Sequence, residues 1–240
     1  MSWMELPVGK YHVMAAPHTL SYNQTEVGIR HEDIIFHAPD SGEQWNKLLP
    51  LRILSTDIET RVRPDGQFVD YSQTAPLAII QIGNLLEIEV NDMCLCPSLF
   101  LGTHRCAGQK RTFRNIFTLK GCTAIPGAEV RSFDDEASML MVWSKFIVES
   151  DPDLITGFNT ACFDFVYLIL RAEALGLPDF ACLGRLKGVK ATALRMRYRD
   201  PRHGPVLVGR LQIDIYQYIK ERFVGMANRS SRHAGGYHEG

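Results

Sequence analysis

Two short apolar segments, residues 51–56 and 77–82, constrain the fold of this chain more than any other feature of its sequence. The second reads Leu77-Ala-Ile-Ile-Gln-Ile82, and such a nearly continuous apolar run is typical of a strand that is covered on both faces. We expect the two segments to form neighbouring strands of one sheet. Further strands are predicted at 113–119 and 154–156.

Two helical patterns alternate with these strands. Ser132 is the predicted N-cap of the first helix, with Asp135 three residues later, and apolar residues at helical spacing follow up to Ser150. The second helix is predicted over residues 163–175 and ends at Gly176, a typical C-terminal glycine. Alternating strands and helices predict a mixed α/β layer fold, with the first helix packed on the sheet.

The chain divides into three predicted regions. Residues 1–50 are polar and contain short strand-like pieces such as Gly9-Lys-Tyr-His-Val13, so we expect an N-terminal β-rich segment there. The α/β domain is predicted over 51–225. Residues 226–240 are rich in Ser, Arg, His and Gly, and this composition favours a disordered tail.

Composition and charge exclude several classes of protein. The apolar runs all fall short of the roughly 18 residues of a membrane span, and the N-terminus lacks the pattern of a signal peptide. Six scattered cysteines do not form the framework of a small secreted domain. The net charge of -1 argues against a purely electrostatic nucleic-acid binder. We therefore expect a soluble protein of a reducing compartment, without a membrane partner, whose contacts with nucleic acid are local.

One basic segment stands out against this near-neutral background. Between Arg185 and Arg210, eight Lys or Arg residues stand against one Asp. Alternating residues on either side of a turn at 200–205 predict a basic β-hairpin. A solvated charged hairpin is the alternative interpretation. The candidate phosphate contacts are Arg195, Arg197, Arg199 and Arg202.

Three acidic residues are candidates for chemistry. Asp57 and Glu59 end an apolar strand, where residues i and i+2 point to the same face. Adjacent carboxylates repel unless a divalent cation lies between them, and hard oxygen ligands favour Mg²⁺ or Mn²⁺. Asp164 lies in the first turn of the second predicted helix, after a loop that contains Asn159. Taken singly, Asp57 and Glu59 are more typical of solvated acids at the end of a strand than of a metal site. Asp164 taken singly is compatible with stabilisation of a helix dipole, and Asn159 with a turn.

Taken together, the segments around these acids resemble the exonuclease region of family B DNA polymerases, most of all the delta-type replicative members. Leu54-Ser-Thr-Asp-Ile-Glu59 resembles the first exonuclease motif, and Asp151-Pro-Asp-Leu-Ile-Thr-Gly-Phe-Asn-Thr-Ala-Cys-Phe-Asp164 resembles the second. Segments between and around them agree as well, including Gly209-Arg-Leu-Gln-Ile-Asp214. The resemblance extends over roughly residues 3–222.

The resemblance implies a fold, a reaction and a partner. The fold would be that of an RNase H-like 3′→5′ exonuclease domain. The protein would act in the nucleus, and its function would be proofreading during DNA replication. Asp57, Glu59 and Asp164 would be the catalytic metal ligands of a two-metal Mg²⁺ or Mn²⁺ site for phosphodiester hydrolysis. Asn159 and Phe163 would lie near the 3′ end of a single DNA strand. Other replicative polymerase subunits are candidate partners.

The sequence departs from the family pattern in one respect that concerns catalysis. The third exonuclease motif of the family is Tyr-x-x-x-Asp, and none of the eight tyrosines here has an Asp four residues later. The likeness fades after Arg222, and the polymerase motifs are absent. We therefore expect an incomplete RNase H-like domain in which hydrolysis is impaired. A smaller departure is Thr56, because the family usually has an aromatic residue before the first Asp.

Three hypotheses follow and remain open at this point. The chain could be a truncated copy of a delta-type catalytic chain. It could be a stand-alone 3′→5′ exonuclease that recruits a metal ligand from its own tail, such as His238 or Glu239. It could also be a non-catalytic nucleic-acid-binding or assembly module that has kept the fold without the chemistry.

Overall fold

The fold is that of a computed structural model, which describes residues 3–15, 17–23, 25–38, 40–43, 51–67, 70–72, 78–90, 109–192 and 204–223. The four short N-terminal strands are β1 (Trp3–Glu5), β2 (Tyr11–Val13), β3 (Val27–Ile29) and β4 (Ile35–His37). The remaining strands are β5 (Ile53–Thr60), β6 (Ile79–Val90), β7 (Gln109–Leu119), β8 (Glu129–Phe133), β9 (Leu154–Gly157) and β10 (Leu211–Asp214). The helices are α1 (Glu136–Ser150), α2 (Asp164–Ala174) and α3 (Ile215–Arg222).

A mixed sheet of six strands forms the centre of the molecule, in the order β10-β9-β5-β6-β7-β8. β5 is parallel to β9 and antiparallel to β6, so it lies in the interior of the sheet. The outer pairs β9–β10 and β7–β8 are parallel, whereas β6 and β7 are antiparallel. This confirms the predicted mixed α/β architecture.

The two apolar segments of the sequence are neighbouring strands, as predicted. β5 and β6 pair from Ile53 opposite Glu87 to Thr60 opposite Ile79, with an irregularity after Glu59. β6 is longer than expected, because it continues to Val90. Its burial also differs from the expectation of a strand covered on both faces: alternate residues of β6 are buried, and Ile80 is 41% exposed.

Helix α1 covers the sheet with the predicted apolar face, but it begins later than predicted. Its N-cap is Asp135, whose side chain accepts a hydrogen bond from the backbone N–H of Ser138 at 2.8 Å. Ser132, the predicted cap, belongs instead to β8, where it is paired with Thr118 of β7. The prediction of Ser132 as the cap was therefore wrong, because strand pairing takes this residue. The five apolar residues at helical spacing are all buried: Met139, Leu140, Trp143, Phe146 and Ile147.

Helix α2 ends as predicted, at Gly176. The backbone N–H of Gly176 binds the carbonyl of Glu173, and the N–H of Leu177 binds the carbonyl of Ala172. With Gly176 at φ 71°, this is the Schellman arrangement, which satisfies carbonyls at the end of a helix.

The second arm of the predicted basic hairpin, residues 206–213, does not form one strand. A turn at 208–209 interrupts it, and β10 then runs parallel to β9 instead of returning along a hairpin partner. Alternation in the sequence indicated an extended segment but could not identify its neighbour in the sheet. The first arm, 194–198, lies outside the described residues, as does the predicted disordered tail at 226–240.

The N-terminal region contains two small antiparallel ribbons, β1 with β4 and β2 with β3. It contacts the rest of the chain through a bridge between Ser21 and Leu186. The side chain of Lys187 also donates to the hydroxyl of Thr19 at 2.6 Å. Among the helices in the described part of the chain, none has the length and apolar character needed to cross a membrane.

Candidate active site

Asp57 and Glu59 lie in the second half of β5, on the face of the sheet opposite the core. Both residues are exposed, whereas Ile58 between them is buried. In the antiparallel register, Asp57 lies opposite Gly83 of β6 and Glu59 lies opposite Gln81. A Cβ atom at Gly83 would meet none of the described atoms within 4 Å, so there is open space beside Asp57.

Asp164, the first residue of α2, contacts the same strand although it lies more than 100 residues later in the sequence. Its carboxyl accepts a hydrogen bond from the backbone N–H of Ile58 at 3.1 Å, and the residue is only 1% exposed. Burial, and next the charge of Asp57, raise the pKa of Asp164 to about 7. A hydrogen bond between the two side chains acts in the same direction. The structure therefore brings the carboxyl group of Asp164 close to Asp57, against the backbone of the next residue of β5.

Glu59 stands beside this pair and not within it. The alternation of a strand places it on the same face as Asp57, two residues further along β5. In the part of the chain that the structure describes, no group of three or more His, Cys, Asp or Glu side chains is arranged to hold a metal ion. The ligand set of Asp57, Glu59 and Asp164 thus stays a prediction, of which the geometry unites two members.

The loop 158–163 joins β9 to α2 and carries Asn159, one of the predicted contacts with DNA. Asn159 has a positive φ of 60°, and its carbonyl accepts the backbone N–H groups of Cys162 and Phe163 at 3.2 and 2.9 Å. These bonds turn the chain into α2. Phe163, the residue before Asp164, packs its ring against Tyr167 at 5.7 Å between centroids. The geometry thus places both predicted residues, Asn159 and Phe163, on the segment that leads to Asp164.

Gly157 allows the ends of β9 and β5 to approach closely. A Cβ atom at this position would collide with the carbonyl oxygen of Thr56 and with the methyl group of Thr160. Only glycine fits between these groups without movement of the backbone. Because Thr56 directly precedes Asp57, this contact fixes the second motif against the first.

A small polar cluster lies in the core directly behind Asp57. Thr56 is 2% exposed, and its hydroxyl donates to Oδ1 of Asn84 at 3.0 Å. Trp143 donates its indole N–H to the same oxygen at 3.1 Å. The other polar atom of this side chain, Nδ2 of Asn84, has no hydrogen-bond partner within the described residues. Thr56, where the family has an aromatic residue, is therefore packed and hydrogen-bonded in this chain.

Asp214 is a residue that the sequence did not single out for the site. It ends β10, and its carboxylate accepts the backbone N–H groups of Asn159 at 2.9 Å and Ala161 at 3.1 Å. Its place before a helical pattern is the signal for an N-cap. No sequence pattern reveals its contact with a loop more than 50 residues away.

The two ends of the basic segment are engaged within the protein. Arg210 has a fully buried side chain and donates to Asp151 at 2.8 Å, and Arg185 donates to Asp151 at 2.8 Å and to Asp153 at 2.6 Å. These two cations therefore fix the base of the segment. The predicted phosphate contacts lie outside the described residues: Arg195, Arg197, Arg199 and Arg202.

Comparison with known proteins gives a consistent set of relatives. Residues 1–227 match the family described as DNA polymerase family B, exonuclease domain. The DNA polymerase delta catalytic subunit of Candida albicans is 36% identical over 230 residues, which cover 93% of this chain and 20% of that protein. The corresponding subunit of Oryza sativa subsp. japonica is 34% identical, over 92% of this chain and 18% of that protein. The subunit of Bos taurus is 33% identical over the same shares.

The chain thus spans about a fifth of the length of the curated relatives that it matches. Among solved structures, the family B DNA polymerase of the hyperthermophilic archaeon Pyrobaculum calidifontis is similar, with a TM-score of 0.41 and 23% sequence identity. That similarity covers 72% of this chain and 16% of the archaeal chain.

Proposed function

This chain belongs to the exonuclease-domain family of family B DNA polymerases, and from that premise we propose that it forms the 3′→5′ exonuclease part of a delta-type replicative polymerase. The observation that carries the proposal is the hydrogen bond from the backbone N–H of Ile58 to the carboxyl of Asp164 at 3.1 Å, which brings Asp164 beside Asp57, 107 positions away in the sequence, on an interior strand. Carboxyl pairs with a raised pKa are typical of sites that bind metal or transfer protons. Residues 51–225 would form the exonuclease domain and residues 1–50 an N-terminal segment beside it.

We propose Asp57, Glu59 and Asp164 as ligands of Mg²⁺ or Mn²⁺. Their hard carboxylate oxygens suit these cations, and the space beside Asp57 over Gly83 is open. When bound, the cations supply an activated water and stabilise the negative charge of the phosphate and the leaving oxygen. Asp164 must lose its proton before it can serve as a ligand, because only the ionised carboxylate binds a cation well. The hydrogen bond from the backbone N–H of Ile58 holds the side chain of Asp164 against β5.

The proposed substrate is the 3′ end of a single DNA strand. Asn159 and Phe163 lie on the loop before Asp164, and this location supports their assignment as contacts of the terminal nucleotide. The amide of Asn159 can bind a phosphate or sugar oxygen, and the ring of Phe163 can pack against a base. Arg195, Arg197, Arg199 and Arg202 would contact phosphates further along the strand. In this function the chain acts in the nucleus, with other replicative polymerase subunits as partners.

We further propose that the isolated chain hydrolyses DNA slowly. The 240 residues contain no Tyr-x-x-x-Asp, which in the family supplies a further metal ligand. A metal that is held by fewer ligands is less firmly positioned, and a misplacement of about 1 Å can cost roughly 100-fold in rate. Asp57 and Asp164 would then bind a cation without positioning it well for the reaction.

The test uses the purified chain with a 3′-labelled single strand and either Mg²⁺ or Mn²⁺. We expect slow removal of nucleotides in Mn²⁺ that disappears in the Asp57→Ala variant, with Glu149→Ala as the control substitution at a distant acid on α1. Fast degradation that depends on Asp57 would favour the stand-alone exonuclease, with His238 or Glu239 as candidate further ligands. Binding of single strands without any Asp57-dependent cleavage would favour the non-catalytic module. If the chain neither bound nor cleaved single strands, the proposed function would be wrong for the isolated chain.

A further inference from the structure

The carboxylate of Asp214 is a junction of four backbone hydrogen bonds from two separate segments. Oδ1 accepts the N–H of Tyr216 at 2.9 Å and that of Gln217 at 3.4 Å, and these bonds cap helix α3. Oδ1 also accepts the N–H of Asn159 at 2.9 Å, while Oδ2 accepts the N–H of Ala161 at 3.1 Å. One side chain at the edge of the sheet thus holds both the start of α3 and the loop before α2.

The position of Asp214 follows from the register of the sheet. β10 is parallel to β9, with Asp214 opposite Gly157. The strand β9 leaves the sheet at this point and enters the loop 158–163. The side chain of Asp214 therefore reaches the first N–H groups of that loop over the distance of one strand spacing. A second bond fixes the same corner, since the hydroxyl of Thr156 donates to the carbonyl of Ile213 at 2.8 Å.

The bond to Asn159 acts on a strained residue. A φ of 60° costs a non-glycine residue about 1 kcal/mol or more, so surrounding contacts must maintain this conformation. The N–H of Asn159 is held by Asp214, and its carbonyl accepts the N–H groups of Cys162 and Phe163. Phe163 is followed directly by Asp164, whose carboxyl accepts the backbone N–H of Ile58 in β5. A continuous series of hydrogen bonds and adjacent residues thus connects Asp214 through Asn159 to Asp164.

We propose that Asp214 is a positioning residue for the 3′-end site: it fixes the backbone of Asn159 relative to Asp57 and Asp164 without contacting substrate or metal. This inference rests on the proposed function for its consequence, since Asn159 is the residue that would contact the terminal nucleotide. The effect of Asp214 on the loop 158–163 does not depend on DNA. The loop is ordered by an acid on another strand, and it loosens when that acid is removed.

A simpler role for Asp214 is that of an N-cap and nothing more. None of the residues of α3 is buried, but the helix contacts the loop directly. Tyr216 packs against Phe158 with 5.2 Å between ring centroids, and Nε2 of Gln217 lies 3.6 Å from Sγ of Cys162. If Asp214 only capped α3, any change that weakens this helix would have the same effect as the loss of Asp214. Lys220→Gly provides that comparison, because glycine in a helix costs about 1 kcal/mol and Lys220 does not contact the loop by any hydrogen bond within the described residues.

The first experiment measures amide hydrogen exchange in the free protein. We expect Asp214→Ala to speed exchange at Asn159 and Ala161 by at least about tenfold, since each N–H loses a bond to a charged acceptor. Lys220→Gly should leave both amides protected, and amides of the central strands should be unchanged in either variant. Asp214→Asn keeps a single acceptor oxygen, so one of the two amides should remain protected. This variant also serves if the alanine variant does not fold. Equal exchange at both amides in the wild type and the Asp214 variants would overturn the proposal.

The second experiment measures the effect on the 3′-end site. The probes are a 16-nucleotide linear oligothymidylate and a circular single strand without ends, both in Ca²⁺ to suppress cleavage. The wild type should prefer the linear strand, and Asp214→Ala should reduce that preference by about tenfold while the affinity for the circle stays the same. Lys220→Gly should keep the preference. An unchanged preference in Asp214→Ala would overturn the positioning role. If the wild type has no preference, the proposed function fails, and the exchange data alone decide whether Asp214 orders the loop.

Discussion

The guanidinium of Arg171 and the carboxylate of Glu136 form a bidentate ion pair in the interior, with Nε 3.0 Å from Oε1 and Nη2 2.7 Å from Oε2. Both side chains are almost fully buried. Glu136 also accepts the backbone N–H groups of Ala78 and Ile79, so the pair ties α1 and α2 to the start of β6. Because β6 is paired with β5, the strand of Asp57, this ion pair stabilises the part of the sheet next to the candidate site.

Glu136→Gln should therefore lower the free energy of unfolding by about 3–5 kcal/mol, because it leaves the buried charge of Arg171 uncompensated. Urea unfolding followed by circular dichroism measures the effect. The matched control is Glu149→Gln, since Glu149 pairs with Lys145 on the surface of the same helix and should contribute less than about 1 kcal/mol. Equal losses in the two variants would show that the buried pair has no special role.

The polar cluster behind Asp57 gives a second prediction, which compares two substitutions that each replace a polar side chain with an apolar one of similar size. Thr56→Val removes one donor to Asn84 but leaves Trp143 as the other, so we expect a loss of about 1 kcal/mol. Asn84→Leu removes the shared acceptor and leaves both the hydroxyl and the indole N–H unpaired in the core. Its cost should be higher, at roughly 2–4 kcal/mol. Thermal unfolding of both variants checks the order, and a larger loss in Thr56→Val would contradict it.

The raised pKa of Asp164 predicts how stability depends on pH. Between about pH 4 and pH 7, the folded state keeps a proton that the unfolded state has lost, so the free energy of unfolding falls as the pH rises through this window. One pKa unit corresponds to about 1.4 kcal/mol, so a shift from 3.8 to about 7 amounts to roughly 4 kcal/mol at neutral pH and above. Asp164→Asn removes this titration. The variant should gain stability relative to the wild type as the pH rises from 4 to 7, with little further change above.

Urea unfolding at pH 4.5, 6 and 8 measures this difference between variant and wild type. Asp179→Asn, at an exposed turn, is the control for the loss of an acid from the surface. A constant difference for Asp164→Asn over the series would contradict the raised pKa.

Divalent cations should reverse the destabilisation at high pH if the acids are ligands. A bound cation favours the ionised form of Asp164, so Mn²⁺ should raise the unfolding temperature more at pH 8 than at pH 5.5, with release of protons on binding. Asp57→Ala and Glu59→Ala should each reduce the effect, whereas Glu32→Ala at an exposed N-terminal site should not. Differential scanning calorimetry with and without Mn²⁺ checks this, and equal shifts in all variants would argue against the ligand set.

Local patterns predicted the elements of the fold better than their boundaries and partners. The apolar character of β5 and β6 identified two neighbouring strands of the central sheet, although only alternate residues of each strand are buried. The start of α1 was misplaced, since Ser132 and Asp135 are both good caps and only the pairing of β8 with β7 decides between them. The parallel pairing of β10 with β9 was likewise missed, because period-2 alternation carries no information on the partner strand.

The same distinction applies to the candidate site. Asp57 and Asp164 were predicted from the motifs around them, and the fold brings them together. Asp214 escaped notice because its bonds cross 53 and 55 positions of sequence and involve only backbone N–H groups of the other segment. Any residue types at those positions other than proline would offer the same donors, so the sequence contains no signal for this contact.

The basic segment supplies the last prediction, which separates arginines that support the fold from arginines that bind DNA. Arg210 is buried and binds Asp151 at 2.8 Å, the same distance as Arg185. Arg210→Ala should remove one of these two cations, together with the buried hydrogen bonds from Arg210 to the carbonyls of Leu183 and Pro152, and lower the stability by about 3 kcal/mol. It should not change how the affinity for single strands depends on salt.

Neutralising Arg195, Arg197, Arg199 and Arg202 together should change this salt dependence and leave the stability unchanged. Each phosphate contact contributes a slope of about -0.7 in the logarithm of affinity against the logarithm of salt concentration, so the loss of all four should flatten the slope markedly. Fluorescence anisotropy of a labelled oligothymidylate between low and moderate salt gives the slope, and urea unfolding gives the stability. An unchanged slope in the fourfold variant would mean that these arginines are solvated charges, and the contact with the strand would then have to come from the loop 158–163 and the carboxyl pair alone.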